Sequence, residues 1–142
     1  MNHVVYLDAK ANEMEKLLTS QKTMIIRGAT GRKVPYGKVE MNDILYLINN
    51  NAEGEIKAVA EVTNVINSEK MDKEKSSEFV KKYQDKLQLT ENQFKRWAGK
   101  RYLVLIEVKN VKEITPFQFN RDNFKNCMDD WLIFEKIEEI KK

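Results

Sequence analysis

The chain carries one histidine, one cysteine, two prolines and five glycines in 142 residues. With His3 as its sole imidazole, set near the start, it offers no Ser/His/Asp arrangement and no His/Cys cluster of the kind that holds a metal. Cys127 has no second cysteine to pair with, and the acids that follow it in NCMDD would raise its thiol pKa, which argues against a nucleophile. A reducing, cytoplasmic setting is expected, with no cofactor. No apolar run approaches the roughly 20 residues that span a bilayer, and the first residues lack the apolar stretch of a secretion signal. No membrane partner is expected.

Charge of one sign is also lacking overall. Twenty-five Lys and Arg against 22 Asp and Glu leave a net charge of +3, so the molecule is no polycation. Attraction to an acidic partner must come from local clustering. Hydrophobic residues at 42% can fill a real core, and the length fits one domain, expected to span residues 1–142.

The local scarcity that matters is of acid. Between Lys16 and Glu40 there is no Asp or Glu, while Lys22, Arg27, Arg32, Lys33 and Lys38 all fall in that window. A solvated loop usually mixes its signs, so this stretch reads as a site for phosphate or carboxylate. The glycines at 28, 31 and 37 let a ligand approach the backbone. The competing reading is a surface loop whose bases meet acids from elsewhere in the fold, with Glu55, Glu61 and Glu107 as candidates.

Periodicity places these residues. Residues 3–7, HVVYL, read as a strand, and Asp8 as the cap of a helix to about Leu18 with Ala11, Met14, Leu17 and Leu18 on its buried face. Thr23 to Arg27 is a strand ended by Gly28, and 28–38 a loop. ILYLI after Asn42-Asp43 and the run 56–66 give two more strands. From Met71 to Leu87, Phe79, Val80, Tyr83 and Leu87 recur at helical spacing behind Asp72 as a cap; Thr90 and Gln93 have capping-box spacing for a helix that stops at Gly99. RYLVLIEVK at 101–109 is the strongest strand signal, broken at Thr115-Pro116, and Trp131 to Ile137 is the last strand.

Alternation puts Thr23, Ile25 and Arg27 on one face of their strand and Met24 and Ile26, read as core, on the other. Arg27 is then either a ligand contact beside the basic loop or a pin bonded to a neighbouring carboxylate. A second basic cluster, Lys95, Arg96, Lys100 and Arg101, surrounds Trp97, a combination suited to single-stranded nucleic acid. Trp97 also shares a helical stripe with Phe94 and Ala98, which favours core packing. Glu61 shares a strand face with Val59, Thr63 and Val65. Near Lys22 it would be a general acid/base, or else a salt-bridge partner.

The stretch LLTSQKTMIIRGATGRKVPYGKVEMNDILYL resembles the ASCH domain family of the PUA-like superfamily. The family pattern is Gly-x-Lys-x-x-Glu-x-Arg at a helix-to-strand junction, followed by a loop and a Gly-Asp pair. Lys22 and Arg27 stand at matching positions and Asn42-Asp43 replaces Gly-Asp, but Ser20 replaces the glycine and Ile25 the glutamate. YLVLIEVKNVKEITPFQF and WLIFEKI look like the closing strands of such proteins, a layout shared with EVE and YTH-like barrels. The resemblance implies an α+β fold: a small PUA-like, mixed or antiparallel β-barrel of about six strands with an N-terminal helix and an inserted helical block at about 71–98.

It further implies a cleft beside Lys22 and Arg27 that takes RNA or a modified nucleotide; the acid-free window adds Arg32, Lys33 and Lys38, and the second basic cluster adds Trp97, as candidate ligand contacts. Some small ASCH proteins are amidohydrolases that remove an acyl group from modified cytidine with a Lys, a Thr three positions on and a distant Glu. Here the Thr position is Ile25, which cannot hydrogen-bond, so the alternative reading needs Lys22, Thr23 and Glu61 instead. A third reading is a protein-interaction module using an apolar surface of the helical block around Phe79 and Trp97.

Overall fold

The structure, a computed structural model, describes residues 1–124 and 129–142; Cys127 lies outside the described residues. Six strands form one mixed sheet: β1 (Asn2–Leu7), β2 (Met24–Ala29), β3 (Ile44–Asn49), β4 (Glu55–Asn67), β5 (Tyr102–Gln118) and β6 (Trp131–Phe134), in the spatial order β2-β5-β4-β3-β1-β6. β1 and β3 are parallel and every other pair is antiparallel. The sheet curls into a half-barrel, with the first helix packed on its inner face and a helical block against its outer face.

Three apolar clusters explain the alternation in the strands. The inner face gathers Val5, Leu7, Ile25, Leu45, Leu47, Ala58, Ala60, Val62, Val104, Ile106 and Trp131 around Leu17. The helical block consists of α2 (Lys73–Lys82), α3 (Gln84–Leu87) and α4 (Glu91–Trp97). Its Val80, Leu87, Leu89 and Trp97 pack against Met24, Ile26, Leu103 and Leu105 of the outer face. Both faces of β2 and of the first half of β5 are therefore buried. Of the residues proposed for a protein-interaction surface, Trp97 is buried in this contact and Phe79 is half-buried against it. The third cluster, with Val4, Ile48, Ile56, Phe119, Leu132 and Phe134, closes the other end.

Three boundaries differ from expectation. The first helix, α1, is only Glu13–Leu18. Residues before it form turns, in which Asp8 accepts from the Ala11 N–H at 3.2 Å and Asn12 takes a left-handed φ of 54°. β5 runs through Pro116 to Gln118. Beyond Val108 it pairs with β4 alone, and its register shifts between the Ile56 and Ala58 pairings, so the proline falls at an edge and a bulge where no ladder N–H is missed. The last strand stops at Phe134, followed by a 3₁₀ turn at Ile137–Glu139.

Among the described residues, no helix is long and apolar enough to cross a membrane.

Candidate functional site

The two edges of the curled sheet, β2 on one side and β1 with β6 on the other, meet across a seam that backbone pairing does not close. Arg27, at 6% exposure, fills it. Its guanidinium donates to the Tyr6 carbonyl of β1 at 2.6 Å and to the Ile26 carbonyl at 2.7 Å, and its Nε lies 3.3 Å from the Asp130 carboxylate, an ion pair off the hydrogen-bonding line. The guanidinium carbon is 5.7 Å from the Trp97 ring centre and 5.6 Å from that of Trp131. A cation with this many fixed partners is a structural pin.

It is also the partition of a cleft. On one side lies an inner lobe of about 330 Å³, lined by Tyr6, Asp8, Glu13, Asn50, Gln93 and Arg121. On the other is an outer lobe of about 310 Å³, lined by Gly28, Gly31, Lys33, Tyr36, Lys100 and Tyr102. Arg27, Arg96, Trp97, Asp129 and Asp130 belong to both. The inner lobe is rich in groups that both donate and accept; the outer one is cationic and aromatic. Arg96 lies over the Trp97 ring at 4.4 Å from its centre and 3.9 Å from the Asp130 carboxylate. Gly28 is dictated by space: a Cβ there would lie 2.6 Å from the Leu103 side chain and 3.2 Å from Lys100 Cβ.

Lys22 is not on the cleft wall. At 1% exposure, its Nζ is 3.3 Å from a Glu13 carboxylate oxygen and donates to the Leu87 carbonyl at 2.5 Å. Burial pulls its pKa below the ordinary lysine value against the opposing pull of Glu13. Glu13 also accepts from the Asp8 N–H at 3.0 Å and is the member of the pair that faces the inner lobe. Tyr6 stands opposite, its phenol pushed up by burial and held back by Arg121, so it remains a neutral hydroxyl.

The other sequence candidates separate. Lys33 lines the outer lobe and is 3.0 Å from Asp129. Arg32 packs over the rings of Tyr36 and Tyr102, at 5.7 and 5.6 Å from their centres. Lys38 is exposed in a turn, its N–H bonded to the Pro35 carbonyl at 2.9 Å, and lines neither lobe. Thr23 is half-buried, its N–H donating to the Lys86 carbonyl at 3.0 Å. Glu61 is far from this company. It lies on the face of β4 opposite Ala60 and Val62, accepts a hydrogen bond from Asn110 and borders a separate hollow with Tyr46 and Lys112. The structure thus does not bring Lys22, Thr23 and Glu61 together, and the carboxylate beside Lys22 is Glu13. Nor is the acid-free window unquenched: Glu13, Asp129 and Asp130 reach it from outside.

A family model described as "Domain of unknown function (DUF365)" matches residues 3–124. The chain belongs to the DUF365 family. Among curated proteins, none matches it. Among solved structures, the DUF365 chain is similar to the ASCH protein from Zymomonas mobilis at TM-score 0.70 and 12% identity, over 97% of this chain and 90% of that one. Two substituted forms of the same protein give TM-score 0.70 as well, one at 12% identity covering 92% of that chain and one at 13% covering 90%. The fold of this chain is therefore that of the ASCH protein, as the motif around Lys22 and Arg27 implied.

Sequence reasoning missed Glu13, Gln93, Tyr6, Asp129 and Asp130. Gln93 alone had a visible signal, the capping box: its side chain accepts from the Thr90 N–H at 3.1 Å while its own N–H donates to Thr90 Oγ1 at 3.2 Å. That reciprocal pair holds a 5%-exposed amide against the inner lobe.

Proposed function

We propose that the two-lobed cleft binds a nucleotide of RNA, or a modified nucleotide, and that the protein is a cytoplasmic RNA-binding module of the PUA-like kind. The observation that carries this reading is the division of chemistry about Arg27. Asn50, Gln93, Tyr6 and Glu13 in the inner lobe supply the mixture of donors and acceptors that reads a base edge. Lys33, Arg96 and Lys100 in the outer lobe supply cations for phosphate, with Tyr36 and Tyr102 as apolar wall. Each lobe lies at the lower end of the volumes that small ligands fill. The carboxylates at the partition favour a single nucleotide unit seated in the cleft over a bare anion.

The test is titration of a labelled RNA trinucleotide at low and moderate salt. Binding that weakens as salt rises, and about tenfold weaker binding by Arg96→Gln, are expected. Absence of binding at low salt overturns the reading. One observation favours a second reading, hydrolysis of an acyl group from a modified nucleoside: the Glu13 carboxylate faces the inner lobe with Lys22 behind it at 3.3 Å. Release of free cytidine from an acylated cytidine distinguishes the two.

A further inference from the structure

Beyond the outer lobe, five cations gather on one surface. Lys70, Lys73, Lys75, Lys100 and Arg101 line a hollow of about 770 Å³ together with Thr30, Met71, Asp72 and Gly99. Among the described residues none of these five is in an ion pair, unlike Lys22, Arg27 and Lys33. Asp72 is the sole acid in the lining, and its carboxylate already accepts from the Lys75 N–H at 2.8 Å as the cap of α2. Glu69 and Glu74 flank the run in sequence but do not line the hollow.

The surface is built. The Met71 N–H donates to the Arg101 carbonyl at 2.9 Å, joining the run before α2 to the entrance of β5, and the Gly99 N–H donates to the buried Ser76 hydroxyl at 3.0 Å. Gly99 has a φ of 96°, which a residue with a Cβ adopts only under strain. The cations are therefore presented by two backbone segments fixed to each other, although the lysine tips are free to adapt. Lys100 lines both this hollow and the outer lobe, and Thr30 follows Ala29 and precedes Gly31, which line the outer lobe.

We infer that this hollow is a track for the sugar–phosphate backbone of single-stranded RNA, carrying the nucleotides adjoining the one seated in the cleft. The inference rests on the nucleotide reading of the cleft and extends it: the ligand is a strand, not a free mononucleotide. Cations without carboxylate partners, adaptable at their tips and continuous with a base-sized cleft, match an irregular chain of phosphates better than one compact anion.

The test compares an RNA trinucleotide with a single-stranded RNA of about 12 nucleotides, a length that covers a typical single-strand site. It uses the full chain and a Lys73→Gln, Lys75→Gln, Arg101→Gln triple variant, whose altered side chains are exposed and whose folding is checked by circular dichroism. The longer RNA is expected to bind more tightly than the trinucleotide. The triple variant should bind it about tenfold more weakly, with the slope of log K against log salt reduced by about 2, and should bind the trinucleotide unchanged. A longer RNA bound no more tightly, or a triple variant with unchanged slope, overturns the track and leaves the cleft reading standing. A longer RNA that binds through these cations while the trinucleotide does not bind overturns the cleft reading, and leaves the hollow a contact for the RNA backbone that continues from no seated nucleotide. If neither RNA binds, or only anionic phospholipid vesicles do, the track is wrong.

Discussion

Lys22 shows at the scale of one residue how a charge can be indispensable without touching a ligand. Removing one partner of a buried ion pair strands the other, which typically costs about 3–5 kcal/mol, more than the pair contributes over an apolar replacement. Lys22→Met leaves the buried Glu13 carboxyl without its cationic partner and the Leu87 carbonyl without its donor. It should lower the free energy of unfolding by about that amount in urea titration. Adding Glu13→Gln removes the stranded charge yet keeps an acceptor for the Asp8 N–H, so the double variant should be more stable than Lys22→Met by at least about 1 kcal/mol. A double variant less stable than the single one would show that the two side chains do not act as a pair. The site was only half legible for the same reason. An acid-free window of sequence says nothing about acids that the fold returns to it, and Glu13, Asp129 and Asp130 arrive from elements whose neighbourhood only the tertiary structure sets.

At the scale of elements, α4 is the part of the helical block that reaches the cleft, and its start is fixed by local chemistry. The reciprocal Thr90–Gln93 bonds satisfy two backbone N–H groups that the first turn leaves open. Thr90→Ala should cost about 1 kcal/mol in thermal or urea unfolding, while Thr90→Ser, which keeps the hydroxyl, should cost only a small part of that. Equal losses for both would mean that the methyl group, not the cap, is what matters. Such local signals are why α2, α4 and the strands could be read from the sequence with small boundary errors. Where the expectation failed, a tertiary condition had overridden a local rule. Pro116 sits inside β5 because its edge has no partner there, and the first helix begins late because Asp8 caps a turn at Ala11. The parallel pairing of β1 with β3 likewise has no local signature.

Over the whole molecule, the seam depends on His3, a residue that the sequence offered only as an absence of catalysis. His3 is fully buried, its Nε2 lies 2.8 Å from Asp43 and its Nδ1 accepts from the Trp131 indole N–H at 2.9 Å. Only the neutral ring with its proton on Nε2 satisfies both contacts, because a second N–H would face the indole donor. The network ties β1 to the residue before β3 and to the start of β6, and the Trp131 ring in turn packs against Arg27. Burial lowers the His3 pKa below its ordinary 6.5, outweighing the pull of Asp43. Below pH 6.5 the unfolded chain therefore takes up a proton that the native state resists. The native state then binds fewer protons, and stability falls as pH falls, by at most about 1.4 kcal/mol per pH unit. Asp43 does not blur this window. Burial raises its pKa, but bonds from His3, the Glu40 N–H and the terminal ammonium together hold it below its ordinary 3.8, so its own contribution is lost only in stronger acid. Unfolding free energies measured from pH 7.5 down to 5 should decline below about 6.5 in the parent and stay nearly flat in His3→Gln over that interval. An equal decline in both would place the acid sensitivity elsewhere and leave Trp131, and with it the wall of the seam, independent of the imidazole.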